Sequence, residues 1–151
     1  MNAIQFLKNE HEKAKLAFQD IEGASADQRA ELWAQLEPEL KVHEEMEEVA
    51  LYRPVAEAVG DRDQTLKEWK EHHHEEVTDA EELIDEIGEI DPTRDEWIDK
   101  IKELKETLEH HIQEEERNIW PRIERAWDRS ELDRAGQQME TLKREKISRA
   151  A

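Results

Sequence analysis

Apolar residues recur every three or four positions through four long stretches of the chain, and this spacing predicts four amphipathic helices. The first helix is expected over about 2–22 and the second over about 27–59. Each ends before a glycine, Gly23 or Gly60, a residue that suits the left-handed position after a helix. No stretch of strand length alternates strictly between apolar and polar residues, so the chain is expected to be nearly all helical.

The third and fourth helices are expected over about 62–88 and about 92–127. Asp91, which is followed by a proline, is expected to be the N-cap of the fourth helix. Proline removes a backbone hydrogen bond inside a helix. We therefore expect a kink or a fresh start at Pro38 and a bend at Pro121.

A shorter apolar pattern near the C-terminus predicts a short terminal helix. Its residues are Leu132, Ala135, Met139 and Leu142. Since short turns join the four long segments, the sequence predicts an all-α fold, an up-down-up-down four-helix bundle with a short C-terminal fifth helix that covers a seam or an end. We assign the bundle to residues 1–128 and the terminal helix and tail to residues 129–151, within a single domain.

The composition is that of a helical surface exposed to water. Charged residues make up 42% of the chain, and the formal net charge of −19 argues against nucleic acid or an anionic membrane as a partner, because both need clustered Lys and Arg. The absence of cysteine excludes disulfides and thiolate metal sites. Neither a run of about 18 apolar residues nor a secretory leader is found, so a cytoplasmic location is expected.

Histidines lie near the middle of each of the four predicted helices. They are His11, His43, the run His72–His74 and the pair His110–His111. In an antiparallel bundle these positions come to a similar height. Two of the histidines are followed four residues later, on the same helix face, by the glutamates Glu47 and Glu115. Burying such groups without a cation costs several kcal/mol for each ionised group, so the set predicts a transition-metal site.

Four ordered motifs resemble the hemerythrin HHE cation-binding family over about residues 2–125. They are the segment that ends in His11, the segment His43–Glu48 with Pro54 after it, the histidine cluster within Glu71–Val77, and the segment His111–Glu116 followed by Ile119, Trp120 and Pro121. The resemblance implies a non-haem centre of two iron ions with an oxo or hydroxo bridge. It also implies that Glu47 and Glu115 bridge the ions and that the histidines are terminal ligands.

Two arguments disagree about which histidine of the third helix is the ligand. The apolar stripe favours His73, since apolar residues lie one turn on either side of it. The family register, in which an aliphatic residue follows the ligand three positions later, favours His74, and we prefer this interpretation. His72 and His110 are expected to point away. The candidate metal ligands are therefore His11, His43, Glu47, His73, His74, His111 and Glu115.

The third helix departs from the oxygen-carrying members of that family, which supply two histidines four residues apart. Here Trp69 and Lys70 stand four residues before His73 and His74. With one histidine fewer, about two coordination positions of the ion pair stay open. The expected small ligands are dioxygen, hydrogen peroxide, nitric oxide and azide, and the expected functions are oxygen binding, sensing, or a catalase- or peroxidase-like reaction.

The two helices that carry a His-Glu pair also differ slightly from each other. Pro54 follows His43 by one residue more than Pro121 follows His111. A small shift at the end of the second helix is therefore expected.

Two other classes of protein compete with this interpretation. A ferritin-like iron-oxidising protein needs two Glu-x-x-His motifs, and only Glu71–His74 has that spacing. A metal-free helical interaction module would have no need for a glutamate four residues after a histidine at two places. The expected assembly is a monomer or a weak dimer, with an unidentified redox partner.

Overall fold

The computed structural model describes residues 1–150, with side chains as far as Ser148. Within this range the chain is helical and contains no strand. The elements are α1 (Ala3–Glu22), α2 (Ala26–Glu47), a first π turn (Glu48–Tyr52), α3 (Arg53–Val59), a 3-10 turn (Gly60–Arg62), α4 (Gln64–Gly88), α5 (Asp95–Glu114), a second π turn (Glu115–Ile119), α6 (Trp120–Ala126) and α7 (Arg129–Ala150). The elements form four long helical arms, namely α1, α2 with the first π turn and α3, α4, and α5 with the second π turn and α6, and α7 is the C-terminal helix. This arrangement confirms the predicted fold class.

The ends of the helices follow from local hydrogen bonds. The side chain of Asn2 caps α1, and the side chain of Asp63 caps α4 by accepting from the backbone N–H of Leu66 at 3.1 Å. α1 ends before Gly23 as predicted, but Gly23 has φ −88°, so the expected left-handed conformation there is wrong. Its N–H closes a right-handed turn onto the helix. Gly60, with φ 51°, does lie in the left-handed region.

The start of α5 differs from the prediction. Asp91 does not cap a helix, because its carboxylate accepts from the backbone N–H and the hydroxyl of Thr93, at 2.9 Å and 2.8 Å. The Arg94 N–H also donates to the Asp91 carbonyl at 3.0 Å, which closes a turn. The helix therefore begins at Asp95, with Arg94 as its N-cap.

The prolines inside the helical segments leave the chain helical, and two of them follow a π turn. α2 runs without interruption through Pro38, so the fresh start expected there is wrong. Each π turn ends two residues before a proline, Pro54 or Pro121. Proline cannot donate a hydrogen bond and crowds the carbonyl four residues earlier, and a π turn accommodates both effects. The first π turn begins five residues after His43 and the second four after His111, which is the predicted shift.

The apolar core consists of two clusters of buried side chains. One includes Leu7, Met46, Tyr52, Trp69, Trp120 and Ile123, and the other includes Phe18, Leu36, Ile84, Trp97, Ile101 and Leu104. On α1, α4 and α5 a histidine lies between the residues of one cluster and those of the other, and on α2 His43 lies close to the same boundary. The bundle therefore has an apolar layer on each side of a layer that contains buried polar residues.

The C-terminal helix packs over the seam between α1 and α2. Leu132, Ala135 and Met139 join the first apolar cluster, and Lys146 lies 3.3 Å from Glu45 of α2. α7 extends over 22 residues, past the last apolar residue of its predicted pattern. The division of the chain after residue 128 remains a prediction. No helix in the described part of the chain is long and apolar enough to cross a membrane.

We expect Gly136→Ala to destabilise the protein, because α7 meets the N-terminal backbone at this residue. An added Cβ would lie 2.3 Å from the carbonyl oxygen of Met1 and 3.0 Å from the nitrogen of Ala3. Overpacking of this kind costs about 1–3 kcal/mol, so the melting temperature followed by circular dichroism should fall.

The matched control is Gly88→Ala, where nothing lies within 4 Å of the added Cβ. This helical position should tolerate alanine or gain up to about 1 kcal/mol. If Gly136→Ala melts as high as Gly88→Ala, the close packing of α7 on the N-terminus is contradicted.

Candidate metal centre

The bundle brings six ionisable side chains together between the two apolar clusters. They are His11 from α1, His43 and Glu47 from α2, His73 from α4, His111 from α5, and Glu115 at the start of the second π turn. Glu47, His73 and Glu115 have no exposed surface. All four arms therefore contribute to one buried polar cluster.

The ligand atoms of this cluster form two groups that share Glu47. Glu47, His73, His111 and Glu115 make one group, and His11, His43 and Glu47 make the other; within each, the atoms lie within 4.8 Å of one another. His73 Nε2 lies 2.9 Å from Glu47 Oε2, while His43 Nε2 contacts Glu47 Oε1. Glu115 Oε1 lies 3.0 Å from His111 Nε2 and 3.6 Å from His11 Nε2. Both carboxylates therefore face histidines of both groups.

Eight buried atoms of the cluster make no well-aligned hydrogen bond among the described residues, although Glu47 lies in ion-pair contact with His43 and His73. They are both ring nitrogens of His11 and of His73, Nε2 of His43, both carboxylate oxygens of Glu47, and Oε1 of Glu115. An unpaired buried polar group costs about 1–3 kcal/mol, and folded proteins contain few of them. Cations bound among these atoms would satisfy them together. Imidazole and carboxylate donors suit iron, manganese or zinc.

A second glutamate follows each buried glutamate and faces a histidine of another helix. Glu48 Oε1 lies 3.8 Å from His73 Nδ1, and Glu116 Oε2 lies 3.8 Å from His11 Nδ1. A carboxylate on the Nδ1 side favours the ring orientation that leaves Nε2 for a metal. The two π turns begin at these Glu-Glu pairs, and π turns often occur at functional sites. The sequence analysis missed both outer carboxylates, although the doubled glutamates were a visible signal.

Further hydrogen bonds hold the cluster from its other sides. Glu76 pairs with His111 Nδ1, and the Tyr52 hydroxyl donates to Glu115 Oε2. Trp120 Nε1 in turn donates to the Tyr52 hydroxyl at 2.9 Å. Tyr52 and Trp120 hold equivalent places, five residues after the two buried glutamates. This repeated spacing is the signal in the sequence that could have revealed the hydrogen bonds from Trp120 to Tyr52 and from Tyr52 to Glu115.

Tryptophans pack directly on two of the histidine rings. Trp120 stacks on His11 with ring centroids 4.9 Å apart, and Trp69 stacks on His111 at 5.9 Å. Trp69 lies one turn before His73 and is buried. An indole offers an N–H donor and no ring lone pair. Trp69 therefore fills the place of a second histidine on α4 without supplying a metal ligand.

The structure corrects the preference for His74 over His73. The side chain of His74 is 71% exposed, and its Nδ1 lies 3.2 Å from Glu48 Oε1, outside the cluster. Its neighbour His73 lies on the same helix face as Trp69 and is fully buried, as the apolar stripe predicted. His72 and His110 also lie outside the buried cluster, as expected.

Burial and neighbouring charges shift the pKa values in the cluster. Burial alone would lower the pKa of His111, but the carboxylates, Glu115 first, raise it well above its usual value. Burial raises the pKa of Glu115, and the charge of Glu47 raises it further. Burial also opposes ionisation of Glu47, but its histidine neighbours outweigh this and hold its pKa well below the usual value. Protons therefore balance part of the charge, and a bound cation would displace them.

A cavity of about 50 Å³ adjoins the cluster between α1, α2 and α5. Its walls are polar near His11, His43 and His111 and apolar at Phe18, Leu36, Leu40, Leu108 and Ile112. One water molecule needs about 10–15 Å³ by a comparable measure. The cavity therefore suits a ligand of a few atoms and excludes a large organic substrate.

A helical bundle with buried histidines and glutamates from all four arms defines a class of cation-binding domain. The family model for the Hemerythrin HHE cation binding domain matches residues 2–123, and this chain belongs to that family. The resemblance found in the sequence is thereby confirmed.

Individual known proteins share the fold or part of the sequence. The crystal structure of a Hemerythrin HHE cation binding domain-containing protein from Mycobacterium kansasii matches with a TM-score of 0.80 and 24% identity, and the match covers 98% of this chain and 89% of that one. An uncharacterised hemerythrin-like protein of Schizosaccharomyces pombe is 27% identical over 117 residues, and a DNA nickase of Nostoc sp. is 24% identical over 124 residues. The chain spans 56% and 34% of the lengths of these two relatives.

Proposed function

We propose that this chain is a non-haem di-iron protein whose buried centre binds or reacts with dioxygen, hydrogen peroxide or nitric oxide. The observation that carries the proposal is the position of Glu47, which belongs to both groups of ligand atoms. Glu115 Oε1 also faces histidines of both groups, at 3.0 Å and 3.6 Å. Two carboxylates between two sets of histidines support a pair of ions rather than a single ion.

The proposed ligands divide between the two iron positions. His73 and His111 would hold one iron and His11 and His43 the other, with Glu47 and Glu115 within reach of both. The iron pair, when bound, supplies redox chemistry and open coordination positions for a small ligand. The nitrogen and oxygen donors, without thiolate, agree with iron in this role.

Residues around the cluster hold the proposed ligands in place and limit what reaches them. Glu76 and Tyr52 fix His111 and Glu115 through hydrogen bonds, which reduces the motion that each ligand would lose on binding metal. Trp69 blocks one side of the cluster without coordinating. The small cavity beside the histidines favours ligands of two to four atoms, such as dioxygen, hydrogen peroxide and azide, over larger substrates.

The alternatives receive less support from the contacts in the cluster. In a ferritin-like centre the Glu-x-x-His motif of α4 would bind through His74, whose side chain is 71% exposed. A metal-free interaction module would bury eight polar atoms that, in the described part of the chain, make no hydrogen bond and have only ion-pair contacts with their neighbours. The net charge of −19 still favours a protein without nucleic-acid partners, and the activity named for the Nostoc relative is not carried over to this chain.

We expect His43→Ala and Glu47→Ala each to lower the iron content and the melting temperature together. A metal that binds only the folded state stabilises it by about 2.7 kcal/mol at one hundred times its dissociation constant. Iron content is measured by elemental analysis of protein purified without a chelating tag. His74→Ala is the matched control, because this exposed histidine contacts Glu48 only and should change neither quantity. An unchanged iron stoichiometry in both test variants would refute the assignment.

We expect the iron-loaded protein to bind azide and to decompose hydrogen peroxide rather than to take up oxygen in a long-lived, reversible way. Optical spectra after dithionite, oxygen and peroxide, together with peroxide consumption, measure this balance. Trp69→His places an imidazole one turn before His73 and should shift the balance towards reversible oxygen uptake, because it fills an open coordination position.

Two controls separate coordination from packing in this experiment. Trp69→Phe removes the indole without adding a ligand, and Lys70→His adds an imidazole one turn before the exposed His74. Neither should increase reversible oxygen uptake. A wild-type protein that holds oxygen reversibly for many minutes, with negligible peroxide turnover, would contradict the proposed reactivity.

A further inference from the structure

A separate group of ligand atoms lies on the surface between α4 and α5. His72 Nε2 lies 2.6 Å from Glu76 Oε1 and 3.8 Å from Glu114 Oε2. One ligand atom from each of the three residues lies within 4.8 Å of the others. Around a tetrahedral ion with bonds of about 2.1 Å, donor atoms stand about 3.4 Å apart. The spacing of these three side chains therefore suits a single divalent cation.

Glu76 connects this surface group to the buried cluster. Its Oε1 faces His72, and its Oε2 pairs with Nδ1 of His111. The Nε2 atom of the same His111 ring lies among the buried carboxylates, 3.0 Å from Glu115. One carboxylate and one imidazole therefore span the distance from the surface group to the buried cluster.

A cavity next to Glu76 gives an independent indication of a cation path. It has a volume of about 360 Å³ and is lined by Glu44, Glu76, His110 and His111, among others. Glu44 is 8% exposed, and its Oε2 has no hydrogen-bond partner among the described residues. This oxygen of Glu44, buried beside the cavity and without a hydrogen bond from the described residues, is a donor atom that a passing cation can contact.

We propose that His72, Glu76 and Glu114 form an outer site for a divalent transition-metal ion, and that ions pass from it, by way of Glu76 and Glu44, to the buried centre. The outer site stands by itself, whereas the transfer step rests on the proposed function of the buried centre. One imidazole and two carboxylates suit Fe²⁺, Co²⁺ or Zn²⁺. The net charge of −19 raises the local concentration of such cations.

Exposure of the outer group agrees with a loading role. The side chain of His72 is 49% exposed, that of Glu76 22% and that of Glu114 32%, so a bound ion keeps water on its open side. Fewer protein ligands and retained water make binding weaker and release faster than in the buried centre. A site that passes ions inward needs both properties.

The equilibrium test uses Co²⁺ alone as the probe, titrated into metal-free protein and followed by calorimetry. Wild-type protein should show tight binding at the centre and a weaker class of site in addition. His72→Gln should weaken that second class at least about tenfold and leave the tight class unchanged. His74→Gln is the matched control, since it removes an exposed histidine of the same helix that faces one carboxylate only, and it should alter neither class.

The kinetic test follows the visible absorption of Co²⁺ as the buried centre fills at limiting metal. His72→Gln should slow the filling at least about tenfold at an unchanged end point, and His74→Gln should fill at the wild-type rate.

Each other outcome has a defined meaning. A wild-type protein without the weaker class, or a weaker class that survives His72→Gln, overturns the outer site. A weaker class that is lost in His72→Gln while the filling rate stays the same overturns the transfer step. A weaker class sensitive to His72→Gln in a protein without tight sites supports the outer site and refutes the buried centre, so the two failures are distinguishable.

Discussion

The charge of two fully buried carboxylates, Glu47 and Glu115, is the constraint on which the rest of the structure depends. Burying an ionised carboxylate costs several kcal/mol even after relaxation, unless opposite charge and hydrogen bonds surround it. Histidines from all four arms surround this pair, and the apolar layers on either side keep water away. The same low-polarity surroundings that make the carboxylates costly also strengthen their attraction for a cation. The buried carboxylates are therefore stable in this fold only when protons or metal ions balance their negative charge.

Two prolines and the π turns that precede them position the residues around the two buried carboxylates. Pro54 and Pro121 each follow a π turn, and each π turn starts where two glutamates stand side by side. The first π turn contains Tyr52, and the residue after the second π turn is Trp120. The Tyr52 hydroxyl accepts a hydrogen bond from Trp120 and donates one to Glu115, so it links the two helical segments beside the buried carboxylates. Each π turn accommodates the proline that follows it and also lies beside a buried glutamate, in keeping with the frequent occurrence of π turns at functional sites.

The fold and most of the buried cluster could be predicted because helical periodicity is local. A residue four positions after a histidine shares its helix face whatever the rest of the chain does. The apolar stripe favoured His73 for the same reason, whereas the family register led to His74. Consecutive helical residues point about 100° apart, so only one of the two can face the bundle interior. The doubled glutamates mark Glu48, but which histidines Glu48 and Glu76 contact depends on how the helices pack, and spacing along the chain does not specify those partners. The capping role of Asp91 failed for a related reason, since Thr93 competes for its carboxylate.

The most direct measurement of the central claim is anomalous scattering at the iron edge from crystals of the iron-loaded protein. The account predicts two peaks in the bundle, about 3.5–4 Å apart. One should lie against His73 and His111 and the other against His11 and His43, with Glu47 and Glu115 contacting both. A single peak, or peaks that do not contact Glu47, would contradict the account.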